Sequence, residues 1–359
     1  MKYFAILIVF LLGLNSQKTS ATSGGNHTYK FLSLTNSPRV ASLGGKLIAV
    51  KDNDVSLPYY NPSLLNASMN NRLALNYINY FAGINFGYTS YARTFKRIGN
   101  VSAGIHYINY GEFTAADETG DITGTFKAGE YAINMFWSRQ LDSSFSVGVN
   151  FKPVMSFLEK YSSYGFATDL GITYQSNDKL FTAALVFKNI GSQLKAYNRK
   201  VFEPLPFEIL LGGSIKLRHA PFRICLTGHQ LQTLDLTYDK EEETTEIQTS
   251  LSERHDTTKK KIDQITSSLG NFADQFLRHT IIGVEMPLIE NNIYLRFGYN
   301  YKRRQELGVE TKMSTVGFSW GFGVNINKFR IGFGQARYHL AGSSAHFSIS
   351  TNLSAFYGN

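Results

Sequence analysis

Beyond residue 21 the chain has no apolar run long enough to cross a membrane as a helix, which needs roughly 20 residues. If the mature chain lies in a membrane, it must do so as a closed barrel, the other structure that satisfies every backbone polar group in lipid. Cysteine is almost absent. Cys225, in "RICLTGH", has no partner, so disulfides within the chain are excluded, and the thiol reads as a buried or lipid-facing structural residue. Catalytic signatures are also scarce: there is no HExxH, Walker loop or CxxC. The eight histidines are scattered, without metal-ligand spacing beside a carboxylate. These absences point to a protein that is not an enzyme and that needs no cofactor or metal.

What is abundant is aromatic residues and glycine: 27 Phe, 21 Tyr and 31 Gly in 359 residues. Mean hydropathy is nevertheless only -0.17. Period-two alternation of large apolar and small polar residues produces this combination. In "STVGFSWGFGVNI" (314–326), Val316, Phe318, Trp320, Phe322, Val324 and Ile326 share one face, and Ser319, Gly321 and Gly323 the other. "NIYLRFGYNY", "FSVGVNF", "VSAGIHY", "FTAALVF" and "FEILLGGSI" alternate in the same way. The pattern predicts fourteen strands, near 72–81, 83–94, 100–110, 129–138, 143–153, 165–175, 179–189, 205–217, 221–234, 278–286, 291–302, 314–326, 328–338 and 345–356.

The connections carry a second signal. Those after even-numbered strands are short. Those after strands 3, 5, 7, 9 and 11 are mostly long, while those after strands 1 and 13 are short. Short turns at one end and long loops at the other are expected of an all-β, single transmembrane antiparallel barrel of the outer membrane, with both termini in the periplasm and the loops on the cell surface. The large apolar side chains then face lipid, and Ser319, Gly321 and Gly323 the lumen. Arginine at Phe318 is accordingly expected to harm assembly far more than arginine at Ser319.

The remaining segments fit around this barrel. Residues 1–21 read as a cleaved signal peptide: Met1-Lys2, an apolar stretch at 3–14, then polar residues ending at Ala21. Residues 22–71 read as an N-terminal plug or hatch, and 72–359 as the barrel. Within the barrel, 238–276 form an extracellular insertion whose Ile262, Ile265, Leu269, Phe272 and Phe276 recur at helical spacing. That stripe either packs on the rim or docks a partner. Asp169 and Arg296 fall at lumen positions, where charges pair across the barrel, hold a plug or line a pathway. His106 reads as a hydrogen-bonded structural residue and His279 as an interface or loop-rim residue. The net charge of +9 is either spread over loops or suits the phosphates of outer-membrane lipid and lipopolysaccharide; a secreted chain is a poor candidate for nucleic acid.

"SPRVASLGG...DNDVSLPYYNPSLL" resembles the start of the FadL-like superfamily of fourteen-stranded barrels. The matching positions are Arg39, Ala41, Leu43, Gly44 and Gly45, then Asn61 and Pro62, with Ser63 where the superfamily usually has Ala. "FKNIG" (187–191) resembles a superfamily turn. "RHTIIGVEMPL", "LRFGYNYKRRQEL" with Arg296, Gly298 and Asn300, and "FSWGFGVNINKFRIGFGQARYHLAGSSAHFSIS" are similar to the PorQ family within it. The resemblance implies a non-enzymatic component of the type IX secretion system. Such a component anchors the surface protein PorZ, in an attachment complex with PorU and PorV, so that exported cargo is processed and joined to lipopolysaccharide. The other readings are a FadL-like transporter of hydrophobic compounds and, disfavoured by the plug-like segment, a general porin.

Overall fold

The computed structural model describes residues 27–198, 201–233, 235–236, 273–289, 292–307, 315–339 and 342–357. Fourteen antiparallel strands close into one barrel, each paired with its sequence neighbours and the first with the last. They are β1 (Arg72–Asn79), β2 (Asn85–Phe95), β3 (Gly99–Ala116), β4 (Ile122–Gln140), β5 (Phe145–Leu158), β6 (Tyr161–Gln175), β7 (Phe181–Lys195), β8 (Glu208–Lys216), β9 (Arg223–Gly228), β10 (Thr280–Leu288), β11 (Ile293–Asn300), β12 (Phe318–Ile326), β13 (Phe329–His339) and β14 (Gly342–Asn352). No helix among the described residues is long and apolar enough to cross a membrane; the strands do so.

Alternation decides which side chains face outward. On β12, Phe318, Trp320 and Phe322 are exposed, whereas Ser319 is 3% exposed. Val316 departs from the expected face and is fully buried. Gly317, at φ +88°, turns the chain between it and the strand, so the period-two count cannot be carried across that residue.

The turns at one end are short, as at 141–144 and 327–328. In the former, Asp142 Oδ1 accepts the backbone N–H groups of Phe145 and Ser144, each at 2.7 Å, which holds its carboxyl below the usual range. At the opposite end the connections after β7, β9 and β11 are long, as expected, but two others are not. The connections after β3 and β5 shrink to 117–121 and 159–160 because the strands themselves continue. Phe113 and Phe126 stack across the extended β3–β4 hairpin with ring centroids 5.2 Å apart, a cross-strand pair that stabilises the added ladder.

Two further expectations change. "FKNIG" is not a turn: β7 runs through it. The β6–β7 register slips between Thr168 and Leu170, so Lys188 and Asn189 oppose the single Asp169, with Asn189 at φ +59°. This is a β-bulge, which re-aims the side chains around it. Tyr301 begins a short helix (Tyr301–Leu307) instead of extending β11.

The core lies inside the barrel and is made largely by residues 28–71. Tyr59, Leu57, Leu64, Leu47 and Ile48 of this segment are at most 1% exposed and cluster with inward wall residues including Tyr88, Phe136 and Cys225. In the strands, by contrast, many inward positions are polar, such as Ser138, Asn150 and Thr173. The barrel is thus filled by its own N-terminal segment.

The filled lumen alters the expectation for Ser319. Its Oγ donates to Ser42 O at 3.1 Å and accepts from Gly44 N at 3.0 Å. Arginine there would collide with the plug, so Ser319→Arg is expected to be damaging as well. The cleaner test of the lipid face is Phe322, midway along β12. Phe322→Arg is expected to cost about 2–4 kcal/mol, the midplane value, and Phe318→Arg, nearer the rim, less. Folded yields in lipid vesicles compare the two; equal yields would contradict this depth assignment.

Candidate functional site

The site is the interface between plug and wall. The plug's first anchor is the short helix Pro38–Ser42 with the two residues that stop it. Pro38 stands at the first helical position, where its missing N–H costs nothing. Gly44 and Gly45 adopt φ +95° and +102°, a conformation open to glycine and costly to other residues, and Gly45 N bonds back to Val40 O at 2.9 Å. The helix lies against β12 and β13, with further contacts to β11 and β14. The wall has glycines where it touches. A Cβ at Gly334 would strike Pro38, one at Gly321 would strike Ser42, and one at Gly298 would strike the backbone of Leu43 and Gly44.

The second anchor is the 3-10 turn Pro62–Leu64, which packs on β4, β5 and β6, half a ring away. Asn61 holds it from both sides. Its Oδ1 accepts from Ser63 N (3.0 Å) and Ser63 Oγ (2.6 Å), while its Nδ2 donates to Ile48 O (2.7 Å) and to Thr173 Oγ1 of β6 (2.9 Å). Gly148 and Gly171 leave room beneath: a Cβ at the first would meet the backbone of Pro62 and Ser63, and at the second Asn61 itself.

Charge joins plug to wall at the short-turn end. Glu285 of β10 is 2% exposed and accepts from three guanidinium groups. Arg39 of the plug donates through Nε (2.9 Å) and Nη2 (2.8 Å), Arg223 through Nη1 (2.9 Å) and Arg296 through Nε (2.8 Å). Arg39 also reaches Asp52 (2.7 Å) and Asp54 (3.2 Å). The β9–β10 and β10–β11 registers put Arg223 and Arg296 directly beside Glu285. In the wall, Lys152 pairs with Asp169 at 2.6 Å. Lys188 donates to Tyr59 O at 3.1 Å, with its ammonium 4.7 Å from the Tyr59 ring centre, so it holds the plug by a cation–π contact as well.

Residues singled out from sequence gather here. Asn300 sends Nδ2 to Gly44 O (3.4 Å) and accepts Arg303 N (3.0 Å), and Arg303 Nη2 also reaches Gly44 O (3.2 Å). The Arg39–Gly45 stretch and the Gly298–Arg303 stretch, remote in sequence, therefore meet in space. Asp169 and Arg296 both lie in the lumen and in ion pairs. His106 is fully buried, its Nδ1 3.0 Å from Tyr59 Oη, and His279 Nδ1 lies 2.8 Å from His229 O. Of the helical stripe, Ile262, Ile265, Leu269 and Phe272 lie outside the described residues, as do the signal segment 1–21 and most of 238–276. Phe276 lies in a helix at 273–278 and is 61% exposed. Sequence reading missed Glu285, Lys152 and Lys188. Each is a charged residue at an inward strand position, the signal that did find Asp169 and Arg296.

No group of three or more His, Cys, Asp or Glu among the described residues could hold a metal ion. What the described residues offer at this interface is hydrogen bonds, ion pairs and close packing between plug and wall.

No protein-family model and no curated protein sequence matches the chain. Solved structures do. The TodX monoaromatic hydrocarbon channel, as its deltaS2 mutant, is similar with a TM-score of 0.50 and 12% identity, over 89% of this chain and 97% of that one. The toluene transporter TodX of Pseudomonas putida follows at 0.46 and 11%, over 88% and 96%. A FadL homologue of Pseudomonas aeruginosa matches at 0.46 and 8%, over 89% and 98%. The likeness to the TodX channel is one of fold alone: a closed antiparallel β-barrel, as the strand alternation led one to expect.

Proposed function

We propose that the chain is a closed outer-membrane barrel that acts as a non-enzymatic anchor for a surface partner. The observation that supports it best is the plug, fixed to opposite sides of the wall by backbone packed on glycine and by buried ion pairs. A barrel filled in this way spans the membrane without offering an open aqueous path. In the finer reading the chain is PorQ of the type IX secretion system. It holds PorZ at the cell surface beside PorU and PorV, with the short turns and termini in the periplasm. That reading rests on the sequence resemblance of the stretches "RHTIIGVEMPL", "LRFGYNYKRRQEL" and "FSWGFGVNINKFRIGFGQARYHLAGSSAHFSIS", and the comparisons add nothing to it. The 238–276 insertion, with its apolar stripe, is the candidate docking element, since buried aromatic and aliphatic anchors carry most interface energy.

A second reading is a FadL-like transporter of hydrophobic compounds. The likeness of fold to a hydrocarbon channel favours it, more directly than the comparisons favour the secretion reading. The two separate cleanly. As an anchor, the purified barrel is expected to be silent in planar bilayers. A gene deletion is expected to leave cargo exported but unattached, with the partner lost from the surface. Normal cargo attachment in the deletion, together with restored uptake of a hydrophobic compound in a complemented strain, would establish the transporter instead.

A further inference from the structure

A cavity of about 440 Å³ opens at the short-turn end, between the plug at Asp52–Asn53 and the ends of β8, β9, β10, β11 and β13. Its charge is unbalanced. Arg39, Lys216, Arg223, Arg296 and Arg330 line it, against two carboxylates, Asp52 and Glu285. Five lining cations less two lining anions, and less Asp54, which pairs with Arg39 at 3.2 Å from outside the lining, leave two positive charges. The Glu285 carboxylate is already fully engaged, since its two oxygens take all four N–H contacts from the three guanidinium groups described above. Those contacts use only Nη1 of Arg223 and Nε of Arg296, whereas each guanidinium carries five N–H donors. Arg296 is itself 4% exposed. A buried guanidinium facing a cavity with surplus positive charge favours an anion there, because the surrounding protein screens the attraction poorly.

The geometry points to a binding site for a phosphoryl group. Guanidinium forks match phosphoryl oxygens two at a time and bind them through charge-assisted hydrogen bonds. The volume exceeds what a bare phosphate fills, and Pro221, Phe222 and Tyr294 give the cavity an apolar side. Phe222 is 37% exposed at the turn between β8 and β9. The ligand chemistry is therefore a phosphoryl group, supplied either by free phosphate, which leaves the apolar side uncovered, or by a phospholipid, whose glycerol and acyl part covers it. If the arginines served only to balance the carboxylates and fix the plug, Lys216 and Arg330 would have no part in binding. Lys216 is exposed, and Arg330 donates Nε to Asn325 Oδ1 at 2.9 Å within its own hairpin. Neither contacts the Glu285 carboxylate in the bonds described, so both can be changed without dismantling the cluster.

The test uses the full chain in non-ionic detergent. Binding of inorganic phosphate and of dihexanoyl phosphatidylglycerol below its micelle concentration is measured by calorimetry, for wild type and for Lys216→Gln/Arg330→Gln. Heat-modifiable migration confirms the folded barrel, and Lys216→Gln alone replaces the pair if the pair does not fold. Saturable binding, weakened at least tenfold in the double variant and falling with added salt, is expected. Equal affinity for both probes would identify free phosphate as the source; binding of the lipid alone would identify the headgroup. No saturable binding of either probe, or unchanged affinity in the folded variant, would overturn the site.

Discussion

A chain carrying valine at both Gly148 and Gly298 is expected to form the barrel but to lose the seated plug. A Cβ at Gly148 falls on the backbone of Pro62 and Ser63, and one at Gly298 on the backbone of Leu43 and Gly44. Backbone cannot swing away as a side chain can. Overpacking a core costs about 1–3 kcal/mol where neighbours can adjust, and more is expected where they cannot. Because β5 and β11 stand on opposite arcs of the ring, a shift of the plug that relieves one clash tightens the other. Ion conductance in planar bilayers should appear, and the N-terminal segment should become sensitive to protease, while heat-modifiable migration persists. Gly213→Ala is the control, since a Cβ there meets its nearest atom at 3.8 Å, an ordinary contact. A double variant that stays silent and protease-resistant would show that the plug has other ways to seat.

The second large effect is expected at Glu285. Its removal leaves Arg39, Arg223 and Arg296 around one point without the carboxylate they share. Breaking a buried pair by deleting one partner costs about 3–5 kcal/mol, because the remaining charge stays buried and uncompensated. Glu285→Ala should therefore lower the denaturation midpoint sharply. Replacing Glu285 and Arg296 together by methionine should recover part of the loss, since an apolar substitute for that pair removes the desolvation cost along with the attraction, while Arg39 and Arg223 keep Asp52 and Asp54 as partners. The exposed pair Arg218–Asp178, 3.7 Å apart, provides the contrast: Arg218→Ala should leave the midpoint close to that of wild type, since exposed pairs are screened by solvent. Equal midpoints for Glu285→Ala and wild type would mean that the cluster does not hold the plug.

The barrel was legible in the sequence because its physics is local. Each strand records in alternate residues which side meets lipid, so Phe318, Trp320 and Phe322 could be assigned without a structure. Strand ends were less legible. Residues such as Phe113 and Phe126 extend the ladder beyond the region where alternation is enforced by lipid, and only their pairing with each other reveals it. Val316 and the Lys188–Asn189 bulge failed for one shared reason: a single residue at positive φ, Gly317 or Asn189, resets the count, and periodicity carries no warning of it. The plug interface was half legible. Resemblance picked out Arg39, Gly44, Asn61 and Gly298 one by one, yet their mutual contacts depend on which strands face each other across the ring, and sequence spacing does not encode that. Glu285 was overlooked because a lone acidic residue in an apolar strand gains its meaning only from the arginines on both neighbouring strands.

The pairing of β1 with β14 has a consequence for how the molecule comes into being. The seam joins Arg72–Asn79 to 345–352 along its whole length, and the segment it encloses precedes β1 in the chain. Once the seam is zipped, that segment could enter only end-on through a mouth, past walls that already fit its folded surface. The filling therefore meets the least obstruction when it is gathered onto the nascent sheet while the ring is still open. Joining the seam is also the costliest loop closure in the chain, since it unites the two ends of the barrel sequence. By touching β4–β6 on one side and β11–β14 on the other, the filling bridges early and late strands and shortens the distance the last pairing has to bridge. Where it fits its wall the segment gives the sheet a mandrel, a form to wind around before its edges meet; a sheet whose filling cannot seat closes without that help.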